Sequence, residues 1–231
     1  MNGRSDTANA LSFRALDVRD IADMLALLRN VSATLPFGFL SDRSESELHE
    51  ILGRAGRHGA TGVFDADRLV GYGLEQLVPA IEGFQDCPLL HLVDDPSAEI
   101  WMTRGLVIAP DFQQQGLMSR LMAARLEHVE RSGSYHMIGM IAVGNAASLV
   151  RVLRTGMWVV GLEEDRYCLN YVVYQGNLAR HGALGRVLEL PIDDLNSIGE
   201  HLARRWVGTR LITDASSGQV KMVLEQYNAL D

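Results

Sequence analysis

Residues 108–122 read IAPDFQQQGLMSRLM, an apolar strand that runs through a proline into a glutamine-and-glycine turn and then opens an amphipathic helix. The first N–H groups of a helix lack intrahelical partners and the helix dipole is positive there, so the turn from Gln113 to Ser119 suits an anion such as a diphosphate. Gly116 lets the main chain approach a ligand closely. No Asp or Glu occurs from Gln113 through Leu126, whereas Arg120 and Arg125 do. A carboxylate is normally welcome in a first turn, so its absence leaves room for a ligand's charge. A dinucleotide-binding turn would need three glycines and an acidic residue about twenty residues on; only Gly116 is present in this turn.

A second informative stretch follows. Residues 136–143, HMIGMIAV, form a short apolar run that suits a buried strand, and residues 145–157, NAASLVRVLRTGM, carry Leu149, Val152 and Leu153 at helical spacing before a stop at Gly156. Taken together, the two segments resemble the acyl-CoA-binding core of the GCN5-related N-acetyltransferase (GNAT) superfamily. Gln113, Gly116 and Met118 fall on the pattern Gln/Arg-x-x-Gly-x-Gly/Ala, with Met118 a departure from the usual small residue. Asn145, Ser148, Gly156 and Met157 keep the register of the downstream pattern, an Asn-x-x-Ala followed by Gly and an aromatic eleven residues after the Asn.

The resemblance implies a mixed α/β fold, with a mostly antiparallel central sheet splayed in the middle and flanked by helices. It further implies acetyl-CoA as cosubstrate. The diphosphate would lie on Gln113, Gln114, Gln115, Gly116, Leu117, Met118 and Ser119. Pantetheine would pair with the backbones of Leu106, Val107 and Ile108 like an added strand, with Asn145 and Ser148 beside it. The implied activity is N-acyl transfer to a small-molecule or peptide amine. A CoA-binding regulatory or structural module with little turnover is the alternative.

Composition bounds the remaining readings. At 231 residues and 47% hydrophobic content the chain can bury a sizeable core. It lacks an apolar run near eighteen residues, and its first residues lack a signal peptide's apolar block, so a soluble, cytoplasmic protein without a membrane partner is expected. A net charge of −8 argues against nucleic acid and leaves a cationic substrate permissible. Cys87 and Cys168 show no metal-ligand spacing, so no metal is expected.

Along the chain, the spacing predicts a strand at Leu11–Leu16 and a helix from Val18 to about Asn30 capped by Asp17. A second helix runs to about Arg57, capped by Ser44 or Ser46, and a hairpin follows across Asp65, Ala66 and Asp67. The GNAT-like part spans residues 1–175. Residues 176–231 read as a strand, helix, strand extension, with the helix from about Ile192 to Trp206. Such a unit is too small to fold alone and must pack on the core or on a partner, which makes a homodimer through the extension an expectation. The long connection between the hairpin and the next strand, Pro79 to Ala98, is expected to be functional or locally ordered.

The chemistry turns on one proton. A lysine-like amine at pH 7.4 lies about three units below its pKa, which costs roughly 4 kcal/mol unless a base removes the proton. The family's usual base on the strand before Asn145 is replaced by Met140, and its alternative acid late in the preceding strand by Arg104 and Gly105. Glu99 is the candidate base, with Glu75, His91, Asp94 and Glu164 also available. Val152 replaces the family's tyrosine acid, and Tyr167 is the candidate substitute, with Tyr171 and the Ser148 hydroxyl as alternatives.

Overall fold

A computed structural model describes residues 11–54, 56–79, 99–131, 136–165, 168–175 and 182–229. The elements are β1 Ser12–Ala15, α1 Ile21–Ser32, α2 Glu45–Gly53, β2 His58–Asp65, β3 Arg68–Pro79, β4 Glu99–Ile108, α3 Leu117–Arg131, β5 Met137–Ala142, α4 Ala146–Leu153, β6 Trp158–Glu164, β7 Leu169–Gln175, β8 Gly182–Pro191, α5 Leu195–Leu202, β9 Trp206–Thr213 and β10 Val220–Ala229. They form one ten-stranded sheet in the order β1-β2-β3-β4-β5-β7-β6-β9-β10-β8. Every pairing is antiparallel except β4 with β5. The mixed, mostly antiparallel sheet implied by the resemblance is therefore the one observed.

Local signals place the first elements. Asp17 caps a short 3-10 turn before α1, with Asp20 completing a reciprocal capping box, and Ser44 and Glu47 do the same at α2. Met24, Leu27, Leu28 and Val31 of α1 and Leu48, Ile51 and Leu52 of α2 are buried in a core shared with Val63, Val70, Tyr72 and Leu74 of the hairpin. The second helix stops at Gly53, short of the expected Arg57, because β2 already begins at His58.

The central feature is a sheet that opens in its middle. β4 and β5 pair only at Trp101 with Met137 and Met102 with Ile138. Beyond that point β4 runs on to Ile108 and β5 to Ala142, each paired on its outer side alone. A register shift aids the divergence. Leu74 faces Gly105 while Glu75 faces Thr103, so Arg104 is the extra residue of a β-bulge, which bends and twists its strand.

The C-terminal extension corrects one expectation. The helix expected from Ile192 to Trp206 ends at Leu202, and Trp206 opens a strand. Its apolar spacing continues by coincidence across the turn, where Arg205 adopts φ 63°. The β-branched Val207, Thr209, Ile212 and Thr213 then suit a pleated strand. The extension completes the fold on this chain: β9 pairs with β6 at Val159 and Gly208, and Ile198, Leu202, Met222 and Leu224 share a core with Leu149, Val152 and Leu153 of α4.

Candidate functional site

The turn between β4 and α3 is braced by its own side chains. The Gln113 side-chain amide donates to the Ile108 carbonyl at 3.2 Å, Gln115 to the Asp111 carbonyl at 2.9 Å, and Arg68 to the Asp111 carboxylate at 2.6 Å. The backbone takes left-handed conformations at Gln114 (φ 63°) and Gly116 (φ 75°). Leu117 is buried and Met118 half-buried, so the helix start is anchored in the core while Gln113 to Gly116 stay exposed. Among the described residues no protein acceptor receives the main-chain N–H groups from Gln114 to Ser119. A row of such groups at a helix start is an anion cradle. A Cβ at Gly116 would meet nothing within 4 Å, so glycine serves the backbone twist and the open approach rather than protein packing.

The splay lies beside this turn. The backbones of Leu106, Val107 and Ile108 pair with Gly73, Tyr72 and Gly71 on one side and face the opening on the other. Across it, Asn145 caps α4, its Oδ1 accepting from the Ser148 N–H at 3.1 Å. Its Nδ2 has no protein acceptor among the described residues, so one end of the amide orders the helix and the other is available to a carbonyl.

The two faces of the β3–β4 pair carry different chemistry. On the α3 face, Arg125 and Glu75 form an ion pair with both side chains only 1% exposed. Arg125 also donates to Thr103 Oγ1 at 2.6 Å. Gly73 and Gly59 make room there: a Cβ at Gly73 would lie 2.7 Å from Arg125 Cδ, and one at Gly59 2.8 Å from His128 Cδ2. The strand alternation turns Tyr72 and Gln76 to the opposite face. There Arg104, at the bulge, donates from Nε to Gln76 Oε1 at 2.9 Å, and Arg43 donates from Nη2 to the Arg104 carbonyl at 3.0 Å. Burial, and then the neighbouring Arg43, lower the Arg104 pKa, and burial pushes the Tyr72 phenol well above its usual range.

Residues 25–156 match the model of the Acetyltransferase (GNAT) family, more than half of the chain. The chain belongs to the GNAT family. A sequence search of curated proteins finds no match. Among solved structures, an N-acetyltransferase from Staphylococcus aureus Mu50 is similar at 11% identity and a TM-score of 0.56, covering 72% of this chain and 97% of that one. NAA60 of Arabidopsis thaliana in complex with acetyl-CoA is similar at 11% identity and 0.58, covering 73% and 99%. An acetyltransferase from Streptococcus pneumoniae gives 17% identity and 0.54, covering 71% and 98%. At these identities the likeness speaks to the GNAT fold.

Several candidates do not gather at the opening of this GNAT fold. Glu99 begins β4, ahead of the paired Trp101, and is tied to Arg57. It sits five residues from Arg104, roughly 16 Å along the strand. Glu75 is sealed in its ion pair with Arg125 and cannot take a proton from an incoming amine. Arg125 itself, legible in the sequence as a cation near the phosphate turn, points inward instead. Arg120 stays exposed with its guanidinium 4.6 Å from the Phe13 ring. Tyr167, His91, Asp94 and Cys87 lie outside the described residues. Val152 is buried in the core against α3 and α5, while Met140 is 46% exposed. The groups that sequence reasoning missed are Arg43, Tyr72 and Gln76. Their one available signal was the departure at Arg104, where the family often carries an acid. Among the described residues no cluster of His, Cys, Asp or Glu is arranged to hold a metal, and no helix is long and apolar enough to cross a membrane.

Proposed function

We propose that the protein is an acyl-CoA-dependent N-acyltransferase, with acetyl-CoA as donor and a small-molecule or peptide amine as acceptor, reacting directly in a ternary complex. The observation that carries this reading is the run of amides from Gln114 to Ser119, unpartnered among the described residues, at the mouth of the open β4 edge. Those amides hold the diphosphate, with Gln113 bracing their turn. The outward backbone groups of Leu106, Val107 and Ile108 take the pantetheine amides, and Asn145 Nδ2 donates to a pantetheine carbonyl next to Ser148. Bound acetyl-CoA supplies an activated carbonyl and a thiol leaving group with a pKa near that of cysteine, about 8.5. A leaving group of that acidity departs near neutral pH without strong help, which makes the absence of a hydroxyl at Val152 tolerable.

The protein's own contribution is then binding and orientation, which can supply most of the rate. Residues 1–175 form the catalytic part and residues 176–231 complete its sheet, with a homodimer through that extension measurable as mass in solution. The deciding experiment is calorimetry with CoA, together with thiol release from acetyl-CoA across an amine panel. Binding accompanied by amine-dependent release supports the reading. Absence of CoA binding overturns it, and binding with no release from any amine turns it into a regulatory module.

A further inference from the structure

Close to the opening, on the face away from α3, two arginines stand together with donors to spare. Arg104 spends Nε on Gln76, and among the described residues neither of its terminal nitrogens meets a protein acceptor. Arg43 spends Nη2 on the Arg104 carbonyl, while its Nε is buried without a partner. The nearest offset is Glu47, 3.9 Å from Arg43 Nη1 and itself 44% exposed. Arg43 also lines a cavity of about 650 Å3 with Leu25, Arg29, Ser32, Asp42 and Glu45, so cations and carboxylates share that wall. Ser32 Oγ is buried there and likewise unpartnered. Two half-buried cations held side by side repel each other, and a buried guanidinium N–H without an acceptor is costly.

We propose that the acceptor is an anionic amine, whose carboxylate or phosphate is clamped by Arg43 and Arg104. An anion between the guanidinium groups removes their repulsion and accepts the unspent N–H groups in the forked geometry that arginine presents. The same pair serves the chemistry. A cation beside the acceptor's nitrogen disfavours its ammonium form, so the amine sheds its proton more readily where Met140 supplies no base. At pH 7.4 about one lysine-like amine in a thousand is neutral, against roughly a quarter of peptide N-terminal α-amino groups, so a site without a carboxylate base suits a weakly basic amine. The overall charge of −8 left a cationic substrate permissible. The local charge at the site governs the choice.

This inference rests on reading the opening as the transfer site, and its test is separable from that reading. The full chain, with and without saturating CoA, is titrated in ligand-detected NMR with matched pairs: amino acids against their carboxamides, and O-phosphoethanolamine against ethanolamine. At least one acidic member is expected to bind about tenfold more tightly than its neutral partner. Arg104→Gln and Arg43→Gln should each remove most of that preference, and Arg104→Lys, which keeps charge but loses the fork, should retain part of it. The pair that discriminates tells a carboxylate acceptor from a phosphate one. Equal binding of every pair, including no binding of any, overturns the proposal, as does a preference that survives the double variant. Loss of CoA binding in the wild-type protein sinks the donor assignment instead, and the titrations without CoA still decide the anion.

Discussion

Arg125 and Arg104 lie against the same two strands, β3 and β4, on opposite faces, and they differ in how completely their donors are used. Arg125 gives Nε to Glu75, Nη2 to Thr103 and Nη1 to Met122 Sδ at 3.2 Å, inside a pocket that two glycines keep open. Arg104 gives one bond to Gln76 and, among the described residues, leaves its fork unspent. Burying a charge is tolerable when it is paired and its donors are satisfied. Arg125 is therefore part of the join between α3 and the sheet, and through α3 it holds the turn of Gln113 to Gly116 in place. Arg104 is half-buried on the opposite face, and in the proposed clamp its unspent donors go to an incoming anion.

The largest effect is expected at Arg125. Arg125→Met leaves the Glu75 carboxylate buried and alone, and should destabilise the fold by about 3 to 5 kcal/mol, read from urea denaturation. Glu75→Leu combined with Arg125→Met should recover most of that loss. If the single variant unfolds no earlier than wild type, the pair is not the join described. Next in size is Gly116→Gln. It forces a side chain into left-handed backbone at the point of ligand approach and should weaken CoA binding by about 1 to 3 kcal/mol. Unchanged affinity in calorimetry on the folded variant would contradict the cradle. Asn145→Ala removes the cap of α4 and the donor toward the arm together. It should cost about 1 kcal/mol in thermal stability and a similar amount in CoA affinity; a loss of stability with no loss of affinity separates the two roles.

Arg104→Gln should change unfolding free energy by under about 0.5 kcal/mol, in contrast to Arg125. The smallest effect is one of pH. Burial, then His58 and Arg131, hold the His128 pKa below its ordinary value. The unfolded chain thus binds that proton more readily, and stability is lost as pH falls through the unfolded value of about 6.5. His128→Phe, which keeps the ring beside Trp101, should flatten the slope of melting temperature between pH 7.5 and 5.5. An unaltered slope assigns the acid sensitivity to other groups.

The two regions were unequally legible in the sequence. The turn was readable because its chemistry is local: a glycine, the strand before it and the helix after it are contiguous, and the braces at Gln113 and Gln115 reach only four or five residues back. Gly156 was readable for the same reason, as the stop of one short helix, which the structure shows to be capped by Asn145. The arginine clusters were not. Glu75 and Arg125 are 50 residues apart and Arg43 lies 61 residues before Arg104, so only the assembled sheet brings them together. The bulge at Arg104 was equally hidden, because one extra residue leaves no mark in a stretch without strict alternation. The expected base lies away from the opening for a related reason: Glu99 is on the right strand, but position along a strand that diverges from its neighbour counts for as much as membership of it.

The opening between β4 and β5 gives the sheet an edge in its interior as well as at its two ends. Peptide hydrogens that point into that opening, on β4 beyond Met102 and on β5 beyond Ile138, should trade with deuterated water as quickly as those of the outermost strand, although they sit at the centre of the molecule. A strand-like guest laid between them would slow that trade there first, making the middle of the protein the part that most clearly registers occupancy.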